Sequence, residues 1–137
     1  MIVYLDASCL IREATLDGSP LGAWANWDRA YSSRLAFVEV SRTLNRLRLE
    51  QTFTPPELEV IGVRFAIISR GIERVPITEG ILVRASDSLP MHVKALDAVH
   101  LASATSIRDR IPEVIFATHD RRLGAAAAAI GFPVTGT

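Results

Sequence analysis

Short apolar runs alternate along the chain with longer stretches whose apolar positions recur at helical spacing. Ile2-Val3-Tyr4-Leu5 is uniformly apolar and stops at Asp6, the pattern of a buried parallel strand. Residues 7–14 predict a short helix, and Asp17-Gly18-Ser19-Pro20 breaks the chain. A helical turn carrying Trp24 and Trp27 is expected over 21–29, then a second strand over Tyr31 to Arg34. Over 35–50, Phe37, Val40, Leu44 and Leu47 recur at steps of three and four and form one apolar stripe of a strong helix. The next helix carries its own start signal, with Thr54 as N-cap, Pro55 at the first helical position and Glu57 completing a capping box. Its stripe is Leu58, Ile61, Phe65 and Ile68, and Gly71 is its expected stop. A strand follows over Ile72 to Ile77, helices over 78–88 and 95–108, and a strand over Glu113 to Ala117. An alanine-rich helix over 121–130 is capped by Gly131 and leads into a last strand, Phe132 to Thr135. Apolar strands alternating with amphipathic helices imply βαβ units, hence an α/β fold with a parallel sheet and helices on both faces.

With 137 residues the chain has room for one domain, taken as 1–137. Hydrophobic residues at 49% and charged residues at 22% are an ordinary globular balance, which excludes a disordered chain. A single cysteine, Cys9, excludes an intrachain disulfide and a multi-cysteine metal site. The longest apolar stretch, Gly124 to Phe132, falls far short of a bilayer span, and the N-terminus lacks the basic region of a signal peptide. A cytoplasmic protein is expected. Fifteen bases balance fifteen acids, which taken alone argues against a nucleic-acid partner.

The placement of four of those acids changes that picture. In a parallel α/β sheet, sites form at the carboxyl ends of the strands. Asp6 follows the first strand, and Asp120 follows the strand ending at Ala117. Each also suits a plain helix N-cap. Glu39 lies beside the apolar stripe of the 35–50 helix and shares an edge with Ala36, Val40 and Thr43. Asp97 sits among the apolar and small residues of Ala95-Leu96-Asp97-Ala98-Val99-His100-Leu101-Ala102. Carboxylates at such borders are expensive unless paired or bound to metal. Four that converge repel one another unless a divalent cation neutralises them, and an all-oxygen ligand set selects Mg²⁺ or Mn²⁺. Such ions bind phosphates and activate water.

Four segments in this order resemble the PIN-domain family, and within it the VapC toxins of bacterial toxin–antitoxin pairs. They are Tyr4-Leu5-Asp6-Ala7-Ser8-Cys9-Leu10, Phe37-Val38-Glu39-Val40-Ser41-Arg42, residues 96–104 around Asp97, and Phe116-Ala117-Thr118-His119-Asp120-Arg121-Arg122-Leu123. The closing residues 128–134 match as well, so the resemblance covers almost the whole chain. It implies a PIN-like fold, a five-stranded parallel sheet between helices, and a Mg²⁺-dependent endoribonuclease site. Asp6, Glu39, Asp97 and Asp120 would be the catalytic and metal-binding acids, and Ser8 and Thr118 the supporting hydroxyls. It also implies a homodimer and a VapB-like antitoxin. Cys9 departs from the aliphatic residue usual there and reads as small and buried, not as a nucleophile. His119 reads as a solvent-facing loop residue, and His100, three residues after Asp97, as a hydrogen-bonded, partly buried histidine.

Setting the four proposed ligands aside leaves the bases four in excess. Arg42 and Arg46 flank Glu39 on the helix and Arg121 follows Asp120, which makes these three the candidates for holding RNA phosphates. Two other readings stay open. In one, Asp6 is the covalent nucleophile of a Mg²⁺-dependent phosphotransferase or phosphatase; Ser8 where a second Asp is wanted, and Lys94 as the only lysine, count against it. In the other, the acids form a non-catalytic binding pocket, which leaves Glu39 unexplained. For a dimer, Trp24, Trp27 and the apolar helix 58–68 offer surface to bury. An antitoxin would lay a segment into an apolar groove, expected between the 35–50 and 55–70 helices. It would then place an arginine or lysine among the acids.

Overall fold

The structure, a computed structural model, describes residues 1–16 and 26–137. The expected break at 17–20, Trp24 and most of the expected turn at 21–29 lie outside the described residues. The elements run β1 (Ile2–Leu5), α1 (Ala7–Thr15), β2 (Arg29–Ser33), α2 (Arg34–Leu49), α3 (Pro55–Arg70), β3 (Ile72–Val75), α4 (Glu79–Ala85), α5 (Ala95–Arg108), β4 (Ile115–Ala117), α6 (Arg121–Ala129) and β5 (Val134–Thr135). The five strands form one sheet of order β3-β2-β1-β4-β5, and every pairing is parallel. The alternating strand–helix reading and its five-stranded parallel sheet are what the structure has.

Several boundaries differ, each for a local reason. Residues 26–29 are not helical: Arg29 pairs with Ile2 in the sheet, and its guanidinium grips Glu73 of the neighbouring strand at 2.9 and 3.0 Å. Ser33 ends β2 because its hydroxyl accepts the Leu35 N–H as N-cap, so Arg34 opens α2 instead of closing a strand. β3 stops at Val75, before Pro76, which has no N–H to donate to a ladder. β4 begins only at Ile115, since the Val114 N–H turns back to the Ile111 carbonyl. α4 ends early in two tight bonds, Ser86 N–H to Val83 and Asp87 N–H to Arg84. β5 shrinks to Val134–Thr135, beyond Pro133. The capping box of α3 is present as read, with Thr54 and Glu57 each accepting the other's N–H. Gly71 does stop that helix, but at φ −89°, not in the left-handed region. Gly131, at φ +93° after α6, holds a conformation that a side chain would resist.

The sheet has an apolar layer on each face, set by the two-residue alternation of β1. Tyr4 joins Phe116, Leu101, Ile107, Leu123 and Phe132 beneath α5 and α6. Val3 and Leu5 point the other way, into Leu10, Ala36, Val40 and Ile72 beneath α1, α2 and α3. Trp27 is half-buried against this second layer of its own chain, so it offers less free surface to a dimer than the sequence suggests. Phe65 and Ile68 of the α3 stripe pack there too, and Ile61 is buried. The large apolar side chains that α3 does expose are Val60, Val63 and Ile67. Among the described residues no helix is long and apolar enough to cross a membrane.

Candidate active site

The strand order positions the site. From β1 the chain moves out to β2 and β3 on one side, then returns to build β4 and β5 on the other. The order therefore reverses between β1 and β4, and a crevice opens at their carboxyl ends, where α/β sheets bind ligands. Asp6 follows β1 directly, and Thr118-His119-Asp120 follows β4.

Asp6 is 4% exposed, and three donors hold its carboxylate. Ser8 Oγ donates to Oδ1 at 2.6 Å, the Cys9 N–H to Oδ1 at 3.3 Å, and Thr118 Oγ1 to Oδ2 at 2.9 Å. Asp6 is thus the N-cap of α1 and a site acid at once. Ser8 Oγ in turn accepts the His119 N–H at 2.9 Å, and Thr118 Oγ1 accepts the Asp120 N–H at 3.0 Å. Two hydroxyls 110 residues apart thereby tie the two strand ends together. Asp120 caps α6, with Oδ1 accepting from the N–H groups of Arg122 and Leu123. Both aspartates owe their position to a strand that ends where a helix needs a cap.

Glu39 and Asp97 come from two helices, α2 and α5. Glu39 lies between the buried Ala36 and Val40 of α2, and its Oε1 meets Nε2 of His100 at 2.5 Å. Neither Arg42 nor Arg46 pairs with it; Arg46 turns to Glu50 at 3.2 Å on the exposed face of α2. Asp97 sits in the first turn of α5. Burial pushes its carboxyl above the ordinary range; the Asp120 charge adds to this, His100 opposes it, and Glu39 and Asp6 add further. The four predicted acids therefore occupy one electrostatic neighbourhood. Yet among the described residues no three His, Cys, Asp or Glu side chains are drawn together as a ligand set, and Asp6, Glu39 and Asp120 are each turned to protein partners. Their donor chemistry, carboxylate oxygens that repel where they meet, fits a hard divalent cation.

A small cleft of about 60 Å³ between α5 and α6 contains Asp97 and Asp120, with His92, Lys94 and Arg122 on its walls. Of the two exposed arginines that follow Asp120, Arg121 is the one the sequence proposes for RNA, and Arg122 is the one that lines this cleft. Arg42 and Arg46 are exposed on α2. His119 departs from its solvent-facing reading: it is half-buried, with Nδ1 against the Gly136 carbonyl at 2.8 Å. Cys9 is buried, and burial pushes its thiol far up, as an inert structural thiol requires. His100, expected as a hydrogen-bonded histidine, is buried to 1% and holds Tyr4 on one side and Glu39 on the other. Its apolar surroundings signalled burial, but nothing in the local sequence signalled a partner on α2.

The fold and the crevice define a parallel α/β domain with acids gathered at the switch point of its sheet. The PIN domain profile matches residues 3–129, and the chain belongs to the PIN-domain family. It is 36% identical to a Mycobacterium tuberculosis protein named Ribonuclease VapC45, over 95% of this chain and 92% of that protein. Two solved structures share the fold at low identity. One is VapBC2 from Rickettsia felis bound to a fragment of promoter DNA, with TM-score 0.67 and 9% identity over 98% of this chain and 97% of that one. The other is FitAB bound to the IR36 DNA fragment, with TM-score 0.65 and 18% identity over 98% and 93%.

Proposed function

We propose that this PIN-domain protein is a metal-dependent endoribonuclease, the toxin of a type II toxin–antitoxin pair. The observation that carries the reading is the union of Asp6 and Asp120 through Thr118 at the reversal of the sheet, with Asp97 close enough to feel both charges. Asp6, Glu39, Asp97 and Asp120 would hold Mg²⁺ or Mn²⁺. The ion would stabilise charge on the phosphoryl oxygens and make water a better nucleophile. Ser8 and Thr118 keep the Asp6 carboxylate in one orientation, so that it need not reorganise when charge develops. Arg42, Arg46 and Arg121, joined by Arg122 and Lys94 at the cleft, would bind RNA phosphates, and the reaction would be cytoplasmic.

The name of the tuberculosis relative supports the nuclease reading, and the two toxin–antitoxin assemblies that share the fold support a VapB-like partner. That partner would place a guanidinium or ammonium among the acids in competition with the ion. A homodimer burying the exposed Val60, Val63 and Ile67 of α3 belongs to the same reading.

The test is cleavage of RNA by purified protein with EDTA, Mg²⁺ or Mn²⁺, set against phosphate release from small phosphomonoesters. RNA cleavage that needs the ion and is lost in folded Asp6→Asn and Asp97→Asn is the expected result. Phosphate release without RNA cleavage would transfer the site to the phosphatase reading. Co-purification with the product of the adjacent small reading frame, and loss of cleavage in that complex, tests the antitoxin.

A further inference from the structure

His100 is a deeply buried ionisable side chain near the crevice that the reaction outlined above does not use. It lies in the middle of α5 at 1% exposure, and both ring nitrogens are engaged. Nδ1 is 2.8 Å from the Tyr4 hydroxyl, and Nε2 is 2.5 Å from Glu39 Oε1. The Tyr4 ring is fully buried in β1, packed edge-on to His100 and stacked on Phe116.

A carboxylate only accepts, so the ring proton that faces Glu39 lies on Nε2, and Nε2–H donates to Glu39. The Tyr4 hydroxyl bonds Nδ1 and also has the Ser33 amide and the Ser103 side chain as partners. The chain of bonds runs from the Tyr4 hydroxyl through the His100 imidazole to the Glu39 carboxylate. It begins on the sheet and ends on α2.

We propose that His100 is the positioning residue for Glu39, anchored by Tyr4, so that the Glu39 carboxylate is held in place for a divalent cation by the sheet and not by α2 alone. This rests on the metal-site reading above and goes beyond it by assigning a role to two residues that touch neither ion nor RNA. A glutamate on a half-exposed helix face samples several rotamers, and ordering it opposes binding. His100 and Tyr4 do that ordering in advance, in rigid packing, and His100 leaves Oε2 of Glu39 for the ion.

The experiment uses Mn²⁺ alone as the probe, with its dissociation constant read by electron paramagnetic resonance on the full chain. His100→Leu removes both bonds, Tyr4→Phe removes only the anchor, and His100→Gln restores an N–H toward Glu39. Expected is roughly 10- to 100-fold weaker Mn²⁺ binding in His100→Leu, a smaller loss in Tyr4→Phe, and recovery of most of the affinity in His100→Gln. In a Glu39→Ala background His100→Leu should change nothing further, since the position it protects is gone. A folded His100→Leu that binds Mn²⁺ as the parent does overturns the proposal, and so does a loss that persists undiminished in Glu39→Ala. Should His100→Leu not fold, Tyr4→Phe decides alone: unchanged affinity overturns the proposal and weakened affinity supports it. Nitrogen-15 spectra of the unmodified protein give an independent reading, and an unprotonated His100 Nε2 would overturn the assigned donation to Glu39. Failure of the unmodified protein to bind Mn²⁺ removes the metal reading and this proposal with it, an outcome distinct from all the others.

Discussion

Replacing Thr118 by valine isolates the hydroxyl that joins the two strand ends. Valine has nearly the volume of threonine, so the packing of a fully buried side chain is kept while one oxygen is lost. That oxygen donates to Asp6 Oδ2 at 2.9 Å and accepts the Asp120 N–H at 3.0 Å. A hydrogen bond to a charged group contributes about 1.5–3 kcal/mol, and a part-buried N–H left without a partner costs about 1 kcal/mol. Ser8 and the Cys9 N–H still hold Asp6, which offsets part of the loss. The net expectation is about 2–4 kcal/mol of destabilisation. At about 2.1 cal/mol/K per residue for the unfolding entropy, 3 kcal/mol in a chain of this length lowers Tm by roughly 10 °C. Thr118→Ser keeps the hydroxyl and loses one methyl group, worth about 1 kcal/mol. Urea unfolding of the three proteins in EDTA, fitted with a common slope, measures both differences. The reasoning fails if the valine variant lies within about 0.5 kcal/mol of the parent, or is the more stable of the two variants.

Three further outcomes are expected. Asp97→Asn should be more stable than the parent in EDTA at neutral pH, because burial and the Asp120 charge raise the carboxyl pKa and so penalise its ionised form. That advantage should fade as pH falls through the raised pKa and the parent's carboxyl takes up its proton, and Mn²⁺ should stabilise the parent more than the variant; thermal unfolding across pH with and without Mn²⁺ checks both. Phe116→Ala, which empties the centre of the layer between Tyr4 and Phe132, should cost about 3–5 kcal/mol in the same urea assay. Thr54→Ala breaks the capping box of α3 and should cost about 1 kcal/mol while leaving RNA cleavage unchanged.

Much of this is legible in the sequence, and the divide is physical. The apolar run at β1, the stripe of α2 and the capping box of α3 are local signals, and local signals carry element type. Ends were read less well where a tertiary partner decided them: Arg29 enters β2 because Ile2 and Glu73 await it, and Val114 leaves β4 for a bond to Ile111. The four acids were found because strand ends and helix borders are sequence features. Their arrangement is not legible there, since Glu39 meets a histidine 61 residues away and not the arginines one and two turns along its own helix. Arg121 and Arg122 show the same limit on a smaller scale. Which of two adjacent arginines faces the cleft depends on the phase of α6, and Asp120 fixes that phase as its cap.

The strand order has a consequence for the order of events during synthesis. β1 is the middle strand and is made first, yet its second neighbour, β4, spans residues 115–117. Until that segment has left the ribosome, one side of β1 is an open edge and Asp6 lacks Thr118. At translation speeds of about 5–20 residues per second, the first strand waits several seconds for the partner that completes it. Catalytic competence is then the last property the nascent chain acquires, and an interrupted product ending before β4 should be inert however well its first half has formed.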